Sequence, residues 1–171
     1  MQEFAIFDFD GTISNLTVDW DLVRKELSIS RISDIWSLPE NEKLQALDCI
    51  SKHECMGLND QLNFHLDKFN NFSLFSVLTN NSERVVSNFF TALNLNVSRL
   101  QITPALIVGR ETLSAPKEEE RVFRNGINQI FYAMQVTSAQ DCTYVGDQDY
   151  ELTFARKFGL EAIHIKDFKV A

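Results

Sequence analysis

The sequence predicts an α/β fold: a parallel sheet with helices on both faces and a small helical insertion after the first strand. Three observations lead there. Short apolar runs recur between helix-like segments, and each run ends in turn or polar residues. The first run closes on two carboxylates and a glycine, in FDFDGTI at residues 7–13. Residues 18–71 then break the rhythm, with helical patterns and no convincing strand. A chain of 171 residues suffices for one well-formed core with a small insertion, and is too short for two full domains.

The first strand, over residues 4–9, opens with Phe4, Ala5 and Ile6. Side chains alternate along a strand, so Asp8 and Asp10 share a face if the strand continues unbroken between them. Adjacent anions are costly unless a cation, a shared proton or water relieves them. This marks a site, the plainer alternative being a strand-end turn at Asp10-Gly11. Three amphipathic helix candidates follow, marked by Trp20, Val23 and Leu27, by Leu44, Leu47 and Ile50, and by Leu62, Leu66 and Phe69. Pro39 and Asn59 are boundary signals for the second and third. The expected division is a core of residues 1–17 and 72–171 with a helical cap insertion at 18–71.

A second strand is expected over 72–78, then a helix behind Ser82 that buries Val85, Val86, Phe89, Phe90 and Leu93. A third strand at 105–108 leads to a helix starting near Pro116, where proline is tolerated, with Val122, Phe123, Ile127, Ile130 and Met134 on its buried face. After a strand at 143–145, a helix runs from about 149 to 158, with Arg156 and Lys157 near its end and Gly159 as terminator. The last strand covers 162–165.

Hydrophobic residues at 44% and charged residues at 23% are those of a globular protein rather than a disordered or fibrous one. A net charge of -8 argues against nucleic-acid and anionic-membrane partners, which need a basic face. Cys49, Cys55 and Cys142 are odd in number and lack metal-ligand spacing, which suits reduced thiols in a cytoplasm. No basic segment precedes a long apolar run, and no apolar stretch approaches the length of a membrane span. A soluble cytoplasmic protein is the expectation.

Ligands of an open parallel sheet bind beyond the carboxyl ends of its strands, so the residues just after each apolar run should converge. Those residues are Asp8 and Asp10, Thr79 and Asn80 in VLTNN, and Gly146 and Asp147 in YVGDQDYE. Lys117, opening the helix after the third run, reaches the same edge. Carboxylates, a hydroxyl, an amine and loop amides match the needs of phosphoryl transfer: charge stabilisation, an in-line nucleophile and a proton at the leaving oxygen. Asp8 can attack phosphorus, dividing the displacement into two steps, while Asp10 moves the proton. Thr79, Asn80 and Lys117 would hold the phosphoryl oxygens. An anionic nucleophile is repelled by its anionic substrate, so Asp8 and Asp147 are expected to hold Mg²⁺. Each residue has a plainer reading: a helix cap for Thr79, a solvated face with Glu118, Glu119 and Glu120 for Lys117, a turn for Asp147, and a cap for Asp149. His53, His65 and His164 lack ligand partners, Trp20 and Trp36 read as packing in the insertion, and the 14 phenylalanines read as core.

DFDGT, then LTNN, Lys117 and GDQDYE, in that order at strand ends, resembles the haloacid dehalogenase-like (HAD) hydrolase superfamily over nearly the whole chain except the insertion. The resemblance implies a three-layer Rossmann-like sheet with Asp8 as nucleophile and Asp10 as acid/base, the backbone carbonyl of Asp10 also binding metal. It carries phosphate binding to Thr79 and Lys117 and metal binding to Asp147. A second acid often follows four residues later; here that position holds Glu151, with Asp149 nearby. Dehalogenase members lack an aspartate at the position of Asp10 and transport ATPases have threonine there, so Asp10 favours a phosphatase or phosphomutase. The insertion is similar to the small cap of phosphoglycolate-phosphatase-like members, though short, so its enclosure of substrate is expected to be incomplete. The implied function is Mg²⁺-dependent hydrolysis of a small phosphorylated metabolite through an aspartyl phosphate. The alternatives are a phosphomutase and a non-catalytic binding protein on the same fold.

Overall fold

Among the described residues five short strands pair in parallel: β1 (Phe4–Phe7), β2 (Leu74–Leu78), β3 (Ile107–Val108), β4 (Cys142–Gly146) and β5 (Glu161–His164), in the order β3-β2-β1-β4-β5. The computed structural model describes residues 4–59, 61–64, 66–96 and 102–168. β1 lies at the centre, with Phe7 in register with Val77 on one side and Val145 on the other. The chain builds outward through β2 and β3, then crosses back to add β4 and β5. That reversal opens a crevice at the carboxyl ends of β1 and β4.

Among the described residues five α-helices complete the architecture: α1 (Trp20–Leu27), α2 (Glu40–Met56), α3 (Glu83–Asn96), α4 (Glu120–Met134) and α5 (Asp149–Phe158). Alternation along β1 sends Ala5 and Phe7 to one face and Ile6 to the other. On the first face α3 packs Val85, Val86, Phe89, Phe90 and Leu93. On the second lie Val122, Phe123, Ile127 and Ile130 of α4 with Leu152 and Ala155 of α5. The expected three-layer sheet with helices on both faces is therefore present. Full burial of each valine, leucine, isoleucine or phenylalanine among them contributes about 1.5–3 kcal/mol.

The insertion contains two of the three helices expected. Asp19 caps α1 by accepting from the Leu22 N–H at 3.0 Å, and Ser28 ends it in the left-handed region at φ 54. α2 begins after Pro39, and a 3-10 helix, Ile32–Ser37, connects the two. Val23, Ile35, Ala46, Leu47 and Ile50 form their own small core. The third candidate differs from expectation, as a short 3-10 helix, Leu66–Asn71, replaces the amphipathic α-helix. Phe64 and Phe69 instead lie against Phe7, with ring centroids 5.8 and 5.4 Å away. Asparagines at 63, 70 and 71 disfavour a helix interior, and burial of the rings on the sheet decides the conformation. Leu58, Leu62, Phe64 and Phe69 thus join the sheet core, although they fall within the stretch expected to form the insertion. His65 lies outside the described residues.

Smaller differences concern boundaries. The helix expected from Pro116 starts at Glu120, because residues 116–119 form a turn that sets Lys117 at the sheet edge. β3 has only two residues, and β5 begins at Glu161 rather than Ala162. No helix among the described residues is long and apolar enough to cross a membrane.

Candidate active site

The carboxyl ends of β1, β2 and β4 open into a cleft of about 520 Å³ whose lining includes Asp8, Asp10, Thr79, Asn80, Lys117, Asp147 and Glu151. These seven residues singled out from the sequence are therefore in one place. The backbone of Asp8 still follows the sheet, its N–H donating to the Val145 carbonyl at 2.9 Å. The chain then turns at Gly11, with φ 77, where an added Cβ would fall 2.6 Å from Asp147 Oδ2. Only glycine suits both that dihedral and that approach. Asp10 is half-buried, and its Oδ1 accepts from the Leu16 N–H at 2.8 Å. From β2, the Thr79 N–H donates to the Val108 carbonyl at 3.0 Å and brings its hydroxyl to the cleft.

Lys117 is only 2% exposed, which rules out the solvated face its glutamate neighbours suggested. Its ammonium pairs with Asp8, with Glu151 at 2.6 Å, and with the Leu78 carbonyl at 3.2 Å. Burial works to discharge the amine, but the two carboxylates prevail and raise its pKa, so Lys117 is a fixed cation. Burial also raises the Asp8 carboxyl to about 8, with Lys117 pulling the other way and Glu151 adding to the rise. Asp10 is raised as well, by burial first and then by Asp147 and Glu54, against the Leu16 hydrogen bond. A carboxyl held above its ordinary range suits an acid that must carry a proton near neutral pH.

Glu151 is fully buried, and its carboxylate takes hydrogen bonds from the Tyr144 and Tyr150 hydroxyls, each at 3.1 Å, besides the Lys117 contact. Burial raises both phenols, which stay protonated as donors. Carboxylate oxygens of Asp8, Asp147 and Glu151 lie within 4.8 Å of one another. Asp147 Oδ1 is buried without a hydrogen-bond partner among the described residues, while its Oδ2 accepts from the Gln148 amide at 2.5 Å. An orphaned anionic oxygen beside two further carboxylates is a donor set that fits a hard cation such as Mg²⁺. Asp149 is exposed and does not line the cleft, whereas Glu151 does. Nor does the Asp149 side chain cap α5, whose N-cap is Gln148.

Two other polar residues at the cleft are engaged within the protein. The Asn80 side chain accepts from the Lys117 N–H at 2.9 Å and donates to Glu118 at 3.0 Å, pinning the lysine turn. The Thr79 hydroxyl donates to Asn81 Oδ1 at 2.7 Å and accepts from the Asn81 N–H at 3.1 Å. Its single proton must leave Asn81 before it can serve a ligand.

No family model and no curated protein matches the sequence. Solved structures do match over nearly the whole chain. A HAD family enzyme from Bacteroides thetaiotaomicron, in complex with magnesium and inorganic phosphate, aligns with a TM-score of 0.63 at 11% identity, covering 96% of this chain and 94% of that one. A hydrolase from Pseudomonas syringae aligns at 0.61 and 14% identity, covering 100% and 87%. A dehalogenase aligns at 0.53 and 12% identity, covering 95% and 84%. The chain has the HAD-like hydrolase fold.

On this HAD-like fold the cleft gains residues that the sequence reading did not select. Arg110 and Asn81 line it, as do Ile32 and the indoles of Trp20 and Trp36 from the insertion. Glu54 of α2, fully buried, accepts from Arg110 Nη2 at 2.7 Å, from Asn81 Nδ2 at 3.1 Å and from the Ser82 N–H at 3.0 Å. The rule of looking just past each apolar run, applied to the third run, reaches Gly109 and Arg110. Glu54 left no such signal, since it reads as one more polar position on a helix.

Proposed function

We propose that this protein is a Mg²⁺-dependent phosphatase that hydrolyses a small phosphomonoester through an aspartyl-phosphate intermediate. One observation carries the reading: Asp8, buried against the fixed cation Lys117, shares a cleft at the sheet's switch point with a half-buried, raised Asp10. Lys117 favours the anionic form of Asp8 and restrains its rotation, so one carboxylate oxygen is oriented for in-line attack. An Asp8 oxygen bonds to phosphorus as the ester P–O bond breaks, and the departing alkoxide takes the Asp10 proton. Asp10, now a carboxylate, takes a proton from the attacking water, and cleavage of the aspartyl P–O bond returns Asp8 and inorganic phosphate. Thr79 turns its hydroxyl from Asn81 to a phosphoryl oxygen in the bound state.

Asp8, the Asp10 carbonyl, Asp147 and Glu151 would hold Mg²⁺, with Glu151, committed to Lys117 and two tyrosines, acting through water. Bound there, the ion offsets repulsion between nucleophile and phosphate. The magnesium and phosphate in the Bacteroides thetaiotaomicron enzyme support this assignment. Asp10 argues against dehalogenation, in which a halide leaves without a proton. The experiment is phosphate release from a panel of small phosphomonoesters, with Mg²⁺ and with chelator, for the wild type and Asp8→Asn. Metal-dependent release that falls by at least about 10⁴-fold in the variant is the expected result. A folded wild type that releases no phosphate from any ester overturns the reading.

A further inference from the structure

Arg110 presents a binding group that the phosphatase chemistry does not use. It follows β3, and its N–H donates to the Asn81 carbonyl at 2.9 Å, fixing its backbone beside the loop that carries Thr79. The side chain is 6% exposed and lines the cleft. Nη2 is spent on Glu54 at 2.7 Å, whereas Nη1 is buried with no hydrogen-bond partner among the described residues. A guanidinium carries five donors, so a buried, unfilled Nη1 keeps its need for an acceptor.

The pair with Glu54 is asymmetric toward the cleft. Glu54 does not line the cleft, and its oxygens are occupied by Arg110, Asn81 and the Ser82 N–H. A ligand in the cleft therefore meets the cationic, donating end of the pair and not its anion. Lys117, the cation nearest the nucleophile, is already saturated by two carboxylates and a carbonyl. Arg110 is thus the cleft cation with a donor to spare.

We propose that Arg110 binds a second anionic oxygen group, a carboxylate or a second phosphate, carried on the leaving-group part of the ligand. The proposal rests on the phosphatase reading for where the first phosphate sits, and it makes Arg110 a specificity-determining residue. It narrows the substrate class to phosphomonoesters whose alcohol portion is itself an anion.

Calorimetry with non-hydrolysable phosphonates in Mg²⁺ tests this independently of turnover. One arm compares 3-phosphonopropionate with its carboxamide; the other compares propane-1,3-bisphosphonate with propylphosphonate. Wild type should bind the doubly anionic member of at least one pair about 10-fold or more tightly, and the arm that responds distinguishes carboxylate from phosphate. Arg110→Lys keeps a cation for Glu54 but replaces the guanidinium fork with a single nitrogen that cannot occupy the Nη1 and Nη2 positions together, and should reduce the preference to within about twofold. If that variant fails to fold, Glu54→Gln combined with Arg110→Gln, a neutral hydrogen-bonded pair, replaces it. Equal binding within both pairs, no binding of any phosphonate by folded wild type, or a preference retained in the variants overturns the proposal. Failure of the phosphatase reading looks different: the binding preference is present, but no ester releases phosphate.

Discussion

The two walls of the cleft are built on different principles. At the sheet edge ionised groups restrain one another: Lys117 has three acceptors, and Glu151 has three donors. Across from them, the insertion presents Trp20, Ile32 and Trp36, surfaces that exclude water and impose shape. Fixed charge is what a phosphoryl transition state requires, since donors already oriented need no reorganisation as charge develops. An apolar wall instead selects among ligands by fit. The two walls are joined by one buried carboxylate, Glu54 of α2, which holds Arg110, Asn81 and Ser82 on the sheet side.

The largest effect that would sharpen this contrast is at Asp10. Asp10→Asn should lower turnover of alkyl phosphates by about 10²–10⁴-fold, with a much smaller loss for nitrophenyl phosphate, whose leaving group needs no proton. Equal losses for both esters would remove the acid role from Asp10. Next in size is the join between the walls. Glu54→Gln leaves the Arg110 guanidinium buried without its anion and should cost about 3 kcal/mol in urea unfolding, an effect the exposed Lys52–Asp48 pair does not share.

A pH titration of stability isolates the charged wall. With metal chelated, Asp8 binds its proton more tightly when folded, about 8 against an ordinary 3.8. The folded state then holds more protons at Asp8 than the unfolded one across that window, so the contribution of Asp8 to stability is fully present below about pH 4 and is lost as pH rises toward 8. Urea unfolding should show that fall in wild type, a flatter profile in Asp8→Asn, and recovery with Mg²⁺ at pH 8. An unchanged slope in Asp8→Asn would show that other groups dominate the titration. The smallest effect is expected at exposed Asp149, where Asp149→Asn should alter turnover less than about twofold and stability by under about 0.5 kcal/mol. A large loss there would move the second acid from Glu151 to Asp149.

Legibility followed the same division. Asp8, Asp10, Thr79 and Asp147 were readable because each directly follows an apolar run, and a parallel sheet brings all such ends to one edge. Lys117 was readable by position, although its glutamate neighbours suggested an exposed face. Glu151 was readable as an acid, but not as the fully buried partner of two tyrosines and a lysine. The third insertion helix was misread because apolar residues at helical spacing also suit rings packed on a sheet, and Phe7 provides that surface from the far end of the chain.

By itself, the sequence determined the order of strands and helices, the two faces of β1 and the carboxylates at the sheet edge. These follow from local periodicity and from residues adjacent to a strand end, which need no knowledge of distant contacts. Only the tertiary structure decided that Glu54 meets Arg110 and Asn81 across 56 and 27 positions, that Lys117 is saturated, and that Arg110 Nη1 is left without a partner among the described residues. The physical reason is that satisfying a buried charge is a property of everything around it. Partners arriving from separate elements leave no spacing that a single stretch of sequence can record.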